Sequence, residues 1–577
     1  MKIFNEVEVS KIPRNNFDLS HERKLTTDLG LLTPILCIEA IPGDTFRISE
    51  EHMIRFAPMT FPAMHRFDVF VHYFVVPLRI LWEDYSRWLT GGEKGQYLKE
   101  RLPIFPRVEV ISDIQYEQFF GCKTLADYLG FPAAPPLNWV EPEGGENTKL
   151  INSGDPIPPQ PTPFTPFDVS LMPFLAYQKV YDEYYRSQDL ENSDFDIDQF
   201  PHREHIYNRE GKCKSGIYQI APGSSPHNIV HLFKLQRRCW QRDYFTSALP
   251  YPQKGGDVAF GSGIVYYDPP ESVADGTGRF VRKPGYVGTM QNTPSFGIGS
   301  GGEFVVLQAN PVGQVPVPVD YDPNGTLKTG LTTITELRRC KALQIWLERN
   351  ARGGTRLIEF LKNQYGVTSS DKRLQRPEYI GGTHTNIVMS EVLQTGPGST
   401  PLASMAGHGM SQEGNYAGEA FIEEHSIILG LLSVMPKPGY MQGLPRFWKK
   451  YDPFDYYFRD FEHIGEQEIY NRELYFNPRE INPQHEGTFG YQSRYCEYKY
   501  IPDSVHGDFL YNMRTWHEAR RFATLPTLSN QFVQCNPANR IWAVQNAEDI
   551  NRVWCQIYQS ITARRPLTIF SNPSTTI

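Results

Sequence analysis

Residues 66–82 read RFDVFVHYFVVPLRILW, and the fold class turns on this stretch. Phe67, Val69, Val71, Tyr73 and Val75 recur at period two, while Phe70, Phe74 and Val76 make the other face apolar as well. That pattern predicts a buried strand, closed by Pro77, whose ring cannot continue a sheet ladder. Leu78, Leu81, Trp82, Tyr85 and Trp88 then follow at helical spacing before Gly91-Gly92, which predicts one short amphipathic helix.

Working outward, Ser426 to Val434 (SIILGLLSV) and Tyr491 to Tyr500 (YQSRYCEYKY) read as further strands bounded by Pro or Gly. Two longer helices are expected. Asp168 would cap one carrying Leu171, Phe174, Tyr177, Tyr181 and Tyr184, and Thr333-x-x-Glu336 is a capping box ahead of Leu337, Cys340, Leu343 and Leu347. No regular alternation of strand and helix appears, so an antiparallel sheet with large insertions is favoured over the parallel classes. Two stretches read as loop. Residues 131–167 hold 10 prolines, and residues 256–330 hold 14 Gly and 8 Pro; the second still contains apolar runs and reads as a protruding excursion.

The chain of 577 residues has 40% hydrophobic and 21% charged residues, the balance of a packed globular protein, with a formal net charge of −8. The amino-terminal stretch carries charges where a signal peptide would need an apolar core, and the longest strongly apolar run, Ile427 to Met435, is too short for a membrane span, so neither export nor a membrane span is expected. The eight cysteines are scattered without C-x-x-C spacing and read as reduced thiols of a protein made in a cytoplasm.

Catalytic and ligand motifs fail on context. Gly297-x-Gly299-x-x-Gly302 matches a dinucleotide fingerprint, but EFVVLQANPV follows where the motif needs a helix N-terminus. His227 and His231 have metal-ligand spacing without a third ligand, and His202 and His205 fare no better. Asp452 and Asp455 in YDPFDYYF read as a turn docked on a core. The sequence therefore assigns no catalytic, cofactor or metal residue.

Local charge says more. Residues 348–376 hold seven basic side chains against three acids, and residues 511–577 hold seven arginines against three acids. Lys234, Arg237, Arg238 and Arg242 interleave with Phe233, Trp240, Tyr244 and Phe245. Cations for phosphates and flat rings for unstacked bases are what single-stranded nucleic acid requires. The candidate contacts are Arg237, Arg238 and Trp240, then Lys372, Arg373 and Arg376, then Arg514, Arg520 and Arg521. A solvated basic face, or arginines pairing across subunits, would use the same residue types.

Several strings together carry a resemblance: LSHERKLT (19–26), IPGD (41–44), IRFAPM (54–59), YFTSALPYPQKG (244–255), ERNARGGTR (348–356), GVTSSDKRLQRPEYIGG (366–382), LPRFW (444–448), GYQSRYCEYKY (490–500) and VHGDF (505–509). In that order they resemble the major capsid protein of the Microviridae, in its gokushovirus-like branch, with departures such as Tyr251 and Ile380. The resemblance implies an all-β, eight-stranded antiparallel viral jelly roll with long loops and short α-helical insertions, one domain over 1–577. It implies a T=1 icosahedral shell, a circular single-stranded DNA genome, a bacterial host, and a surface insertion at 256–330 near the three-fold axes that contributes to host attachment. The implied partners are further copies of the chain, the packaged DNA, a small basic DNA-packaging protein, a minor virion protein and a host surface receptor. The implied location is the virion, assembled in the host cytoplasm. At net charge −8 the shell cannot neutralise DNA in bulk, so contacts are expected only at local patches. A soluble single-stranded nucleic-acid-binding protein is the alternative, and a hydrolase a distant third.

Overall fold

The computed structural model describes residues 14–91, 102–133, 165–193, 195, 205–220, 229–256, 258, 265–268, 281–282, 295–298, 304–310, 313–320, 326–329, 334–393, 405–479, 483–543 and 550–569. They divide into two compact units, residues 1–252 with 351–577, and residues 253–350.

The first unit is built on two antiparallel sheets. We label their strands β1 (Asn15–Asp18), β2 (His21–Thr27), β3 (Thr33–Ala40), β4 (Thr45–Phe56), β5 (Phe67–Pro77), β6 (Glu378–Asn386), β7 (Val388–Leu393), β8 (Met405–Phe421), β9 (Ser426–Pro436) and β10 (Val553–Arg565). One sheet runs β6-β5-β9-β3, and the other runs β1-β10-β4-β8-β7 with β2 also on β10. Every pairing in both is antiparallel.

The strand in the decisive stretch behaves as its pattern demands, but the single helix expected from Leu78 to Trp88 is instead a 3₁₀ turn at Leu78–Ile80 and a separate helix at Tyr85–Thr90. Phe67, Val69, Val71, Tyr73 and Val75 enter the core between the sheets, with Phe46, Ile48, Ile54 and Phe56 of β4 and Val553, Ile557 and Ile561 of β10. Phe74 and Val76 enter a second core on the opposite face of the same sheet, with Leu429 and Leu431 of β9. A sheet buried on both faces has no polar alternation, which is why SIILGLLSV is buried throughout. In β4 and β10, by contrast, buried and less buried residues alternate, the mark of a sheet with one solvated face.

Helices roof the second core: α1 (Tyr85–Thr90), α2 (Asp113–Phe120), α3 (Leu125–Leu129) and α4 (Met172–Val180), the last extended as a π-turn over Tyr181–Tyr185. Leu171, Phe174, Tyr177 and Tyr181 are buried as their spacing predicted. Asp168, however, does not cap this helix. It lies in the strand Phe167–Ser170, and Ser170 Oγ instead accepts from Met172 N at 3.2 Å. The stretch 491–500 is a strand only to Ser493, after which Tyr495 adopts φ 62° and the chain turns into a 3₁₀ helix. These antiparallel sheets are consistent with a capsid jelly roll, but helices contribute enough that all-β is too narrow a description.

Within the second unit, Phe304–Asn310 and Gly313–Asp320 form a hairpin flanked by Ser295–Ile298 and Val281–Arg282, and Val265–Asp268 pairs with Thr326–Thr329. Gly297 of the glycine motif lies within the strand Ser295–Ile298, while Gly299 and Gly302 lie outside the described residues. Helix α5 (Ile334–Arg352) follows, and α6 (Leu357–Tyr365) lies in the first unit. Thr333, His202, His227 and nearly all of the Pro-rich 131–167 stretch lie outside the described residues.

Candidate nucleic-acid interface

All eight cysteines are free thiols. Among the described residues no group of three or more His, Cys, Asp or Glu is placed to hold a metal. Asp452 and Asp455 are turn caps: Asp452 Oδ1 accepts from Phe454 N at 3.0 Å, and Asp455 Oδ2 from Tyr451 N at 3.0 Å. Contrary to expectation this turn is not docked on a core, since residues 451–460 are all exposed.

A cleft of about 680 Å³ in the first unit gathers five arginines, Arg186, Arg238, Arg242, Arg352 and Arg356. Its walls come from the segment 184–190, the extended stretch 238–249, the turn 351–356 and Tyr379 of β6. Arg238 donates to Ser433 Oγ at 2.9 Å, and its guanidinium lies 4.2 Å from the Phe70 ring centre and 5.6 Å from that of Tyr185. Burial lowers its pKa, though an arginine stays charged at any ordinary pH. Arg356 is also tied down, donating to the carbonyls of Asp182 and Arg186 at 3.0 and 2.9 Å. Arg186 pairs with Asp182 at 2.6 Å, and Arg352, half exposed, pairs with Glu466. Arg242 is exposed and makes no side-chain hydrogen bond or ion pair among the described residues. The mouth of the cleft therefore offers Arg242 and part of Arg352 to an anion, beside the half-exposed ring of Tyr379.

His72 sits on the wall of this cleft, its Nδ1 2.7 Å from Tyr185 OH. Burial first, and Arg238 second, push its pKa from 6.5 down to about 4. The folded ring is therefore neutral where the unfolded one already binds a proton, so its contribution is complete above pH 6.5 and is lost as pH falls toward about 4. We expect acidification across that window to cost on the order of 2 kcal/mol from this residue, allowing for partial solvent screening. A His72→Gln variant melted at a series of pH values should show a flatter decline, and an unchanged slope would exclude His72 as its source.

The nine candidate contacts fall in different places. Arg238 and Trp240 both line this cleft, but Trp240 is only 4% exposed and carries Arg520 at 5.2 Å, so in the subunit its ring faces protein. Arg520 is itself partly buried, its guanidinium 4.0 Å from the Phe532 ring centre, and donates to Phe532 O. Arg237 donates to the carbonyls of Leu29 and Cys535 at 3.1 and 3.2 Å. Arg376 pairs with Asp371 at 3.4 Å under the Tyr184 ring, and Lys372 pairs with Glu423 at 3.0 Å. Arg514 is exposed, with its Nε on Tyr511 O. Arg373 and Arg521 are exposed with no side-chain hydrogen bond or ion pair among the described residues. The residues that complete the cleft, Tyr185 and Tyr379, lie far apart in sequence, and no local signal joins them.

Another surface is apolar. Phe447, Trp448, Tyr451, Phe454, Tyr456 and Tyr498 are each more than half exposed. They fall in local groups along one stretch of chain: Phe447 lies tilted against Trp448 at 5.0 Å, Phe454 meets Phe458 at 6.4 Å, and Lys450 lies over Tyr456 at 5.8 Å and over Tyr498 at 4.2 Å.

Comparison with known proteins follows the same lines. A family model described as capsid protein (F protein) matches residues 5–136 and 115–575. The chain is 29% identical over 635 residues to the capsid protein VP1 of Chlamydia phage 1, covering 99% of this chain and 97% of that one. It is 29% identical over 594 residues to capsid protein VP1 of Bdellovibrio phage phiMH2K (99% and 98% covered), and 26% identical over 602 residues to that of Spiroplasma virus 4 (99% and 97%). With a family model over nearly its whole length and relatives matched end to end, the chain belongs to the Microviridae capsid protein (F protein) family, a structural component of a bacteriophage virion and not an enzyme.

Proposed function

We propose that copies of this chain close into a small T=1 icosahedral shell around a circular single-stranded DNA genome, and that residues 256–330 lie on the outside and contribute to host attachment. The observation that carries the shell reading is the exposed aromatic belt of residues 447–458 with Tyr498. Aromatic side chains left in water cost too much to be idle, and a monomer rarely exposes so many together; closed symmetric contacts with further copies bury them. The eight-stranded jelly roll implied by the family, a basic packaging protein, a minor virion protein and a host receptor belong to the same reading. The two antiparallel sheets support it.

The test is assembly. Tyr451→Ser with Phe454→Ser should leave a subunit that melts within about 1 kcal/mol of wild type, because both side chains are surface groups. It should nevertheless give few or no closed particles in electron micrographs. Replacing 256–330 with a short Gly/Ser linker should leave shells that assemble but attach poorly to host cells. A chain that stays monomeric with its virion partners at every salt and pH tried would defeat the shell reading.

A further inference from the structure

A second cleft, of about 730 Å³, lies where α3 and the turn before it flank strands β2, β4 and β10. Four cations line it, Arg23, Lys24, Arg55 and Lys123, against one carboxylate, Asp127. That carboxylate is occupied, since Asp127 Oδ2 accepts from Lys123 N at 2.8 Å. Such an excess of positive charge is pronounced in a chain of net charge −8.

The sheet register puts a flat ring among these charges. Trp554 on β10 stands opposite Arg55 on β4 and opposite Thr26 on β2, and Gln556 stands opposite Met53 and Lys24. Cross-strand partners share a face, so Trp554, Arg55 and Lys24 project from one side of the sheet. The indole is 43% exposed yet held, its Nε1 donating to Asn551 O at 3.2 Å. Arg23 is fixed by donation to Tyr128 O at 2.9 Å and Lys24, on the exposed face, pairs with Glu22 at 3.5 Å, whereas Arg55 is exposed with no ion pair among the described residues.

We propose that this cleft binds single-stranded DNA, with a base stacked on Trp554 and the flanking phosphates met by Arg55, Lys24 and Lys123. The cavity falls in the size range of small-ligand sites and is large enough for a nucleotide. An oriented, exposed ring beside clustered cations is the pairing that unstacked bases and their backbone require. An acidic peptide would use the cations but would leave the ring idle. The proposal rests on the reading that the shell encloses single-stranded DNA, and it adds a site whose cations, Arg23, Lys24, Arg55 and Lys123, lie outside the basic runs of the sequence.

The test is binding of a labelled oligothymidylate to the full chain by fluorescence anisotropy across a sodium chloride series. Trp554→Ala should weaken binding roughly tenfold, with Trp554→Tyr restoring most of it. Arg55→Ala with Lys123→Ala should shallow the log–log salt dependence by about 1.4, at roughly 0.7 for each phosphate no longer neutralised. Wild-type affinity and slope in all of these variants, with weakened binding on Arg242→Ala and Arg352→Ala instead, would overturn this site and leave the genome reading standing. Displacement of the oligonucleotide by polyglutamate at equal charge concentration would also overturn it, in favour of an acidic peptide. A wild-type chain that binds no oligonucleotide at any salt would overturn the site and the reading beneath it.

Discussion

Gly381→Val should give no folded subunit, and Gly381→Ala should lower stability by at least about 3 kcal/mol. Gly381 follows a bulge in β6, and Gly418 follows a bulge in β8, so the two irregularities face each other where one sheet meets the other. A Cβ at Gly381 would overlap the Ala417 carbonyl oxygen, and one at Gly418 would come within 2.9 Å of Ile380 O. Backbone, not a flexible side-chain end, is what stands in the way, so relief requires moving a strand in each sheet. Soluble yield and thermal midpoint are the readouts. Gly256→Ala, where an added Cβ meets nothing within 4 Å, serves as the control. A Gly381→Ala chain that melts with wild type would show that the two strands can part without cost.

The second large effect is expected at Glu50. The inward face of β4 reads Phe46, Ile48, Glu50, His52, Ile54, Phe56, an acid and a histidine in the middle of an apolar stripe. Both side chains are fully buried. The Glu50 carboxylate accepts from Thr383 Oγ1 at 2.7 Å and from His52 Nδ1 at 3.2 Å, while His52 Nε2 lies 3.2 Å from Ser411 Oγ and 3.3 Å from Thr385 Oγ1. Removing one member of such a cluster leaves the others buried without partners. Glu50→Ala should therefore cost roughly 3–5 kcal/mol, and Glu50→Leu with His52→Leu should cost less than the single change. Urea midpoints of the two variants decide the matter: a double variant weaker than the single one would mean that the polar groups stabilise the sandwich as such.

Glu50 also shows where sequence reading stops. Period-two recurrence with apolar residues on both faces located β5 as a buried strand, and an apolar run bounded by Pro or Gly located β9, because that information is local. The polar cluster is not local. Its members come from β4 and, more than 300 residues further along, from β6 and β8, and a strand read alone has no reason to send an acid inward. The same limit governs the basic sites. Runs of Arg and Lys marked residues 348–376 correctly as rich in cations, but the structure ties Arg376 to an acid and Arg356 to backbone carbonyls. Meanwhile Trp554, inside the arginine-rich run 511–577 but not among the candidates, and Arg55, outside every basic run, become cross-strand partners. Asp168 failed as a cap because a strand claimed it first, a tertiary demand that outranks local propensity.

The position of β10 bears on synthesis. This strand fills the gap between β4 and both β1 and β2, pairing with β4 from Val553 opposite Phe56 to Arg564 opposite Thr45. A ribosome delivers it roughly 500 residues after β4, a wait of about 25–100 s at ordinary elongation rates. Until then β2 and β4 have unpaired edges, and the loop to be closed is very long. The larger sheet can thus be completed only by a nearly finished polypeptide. A prematurely terminated chain keeps an open edge and lacks the inward face of β10, so translation errors are filtered before any subunit can join a particle.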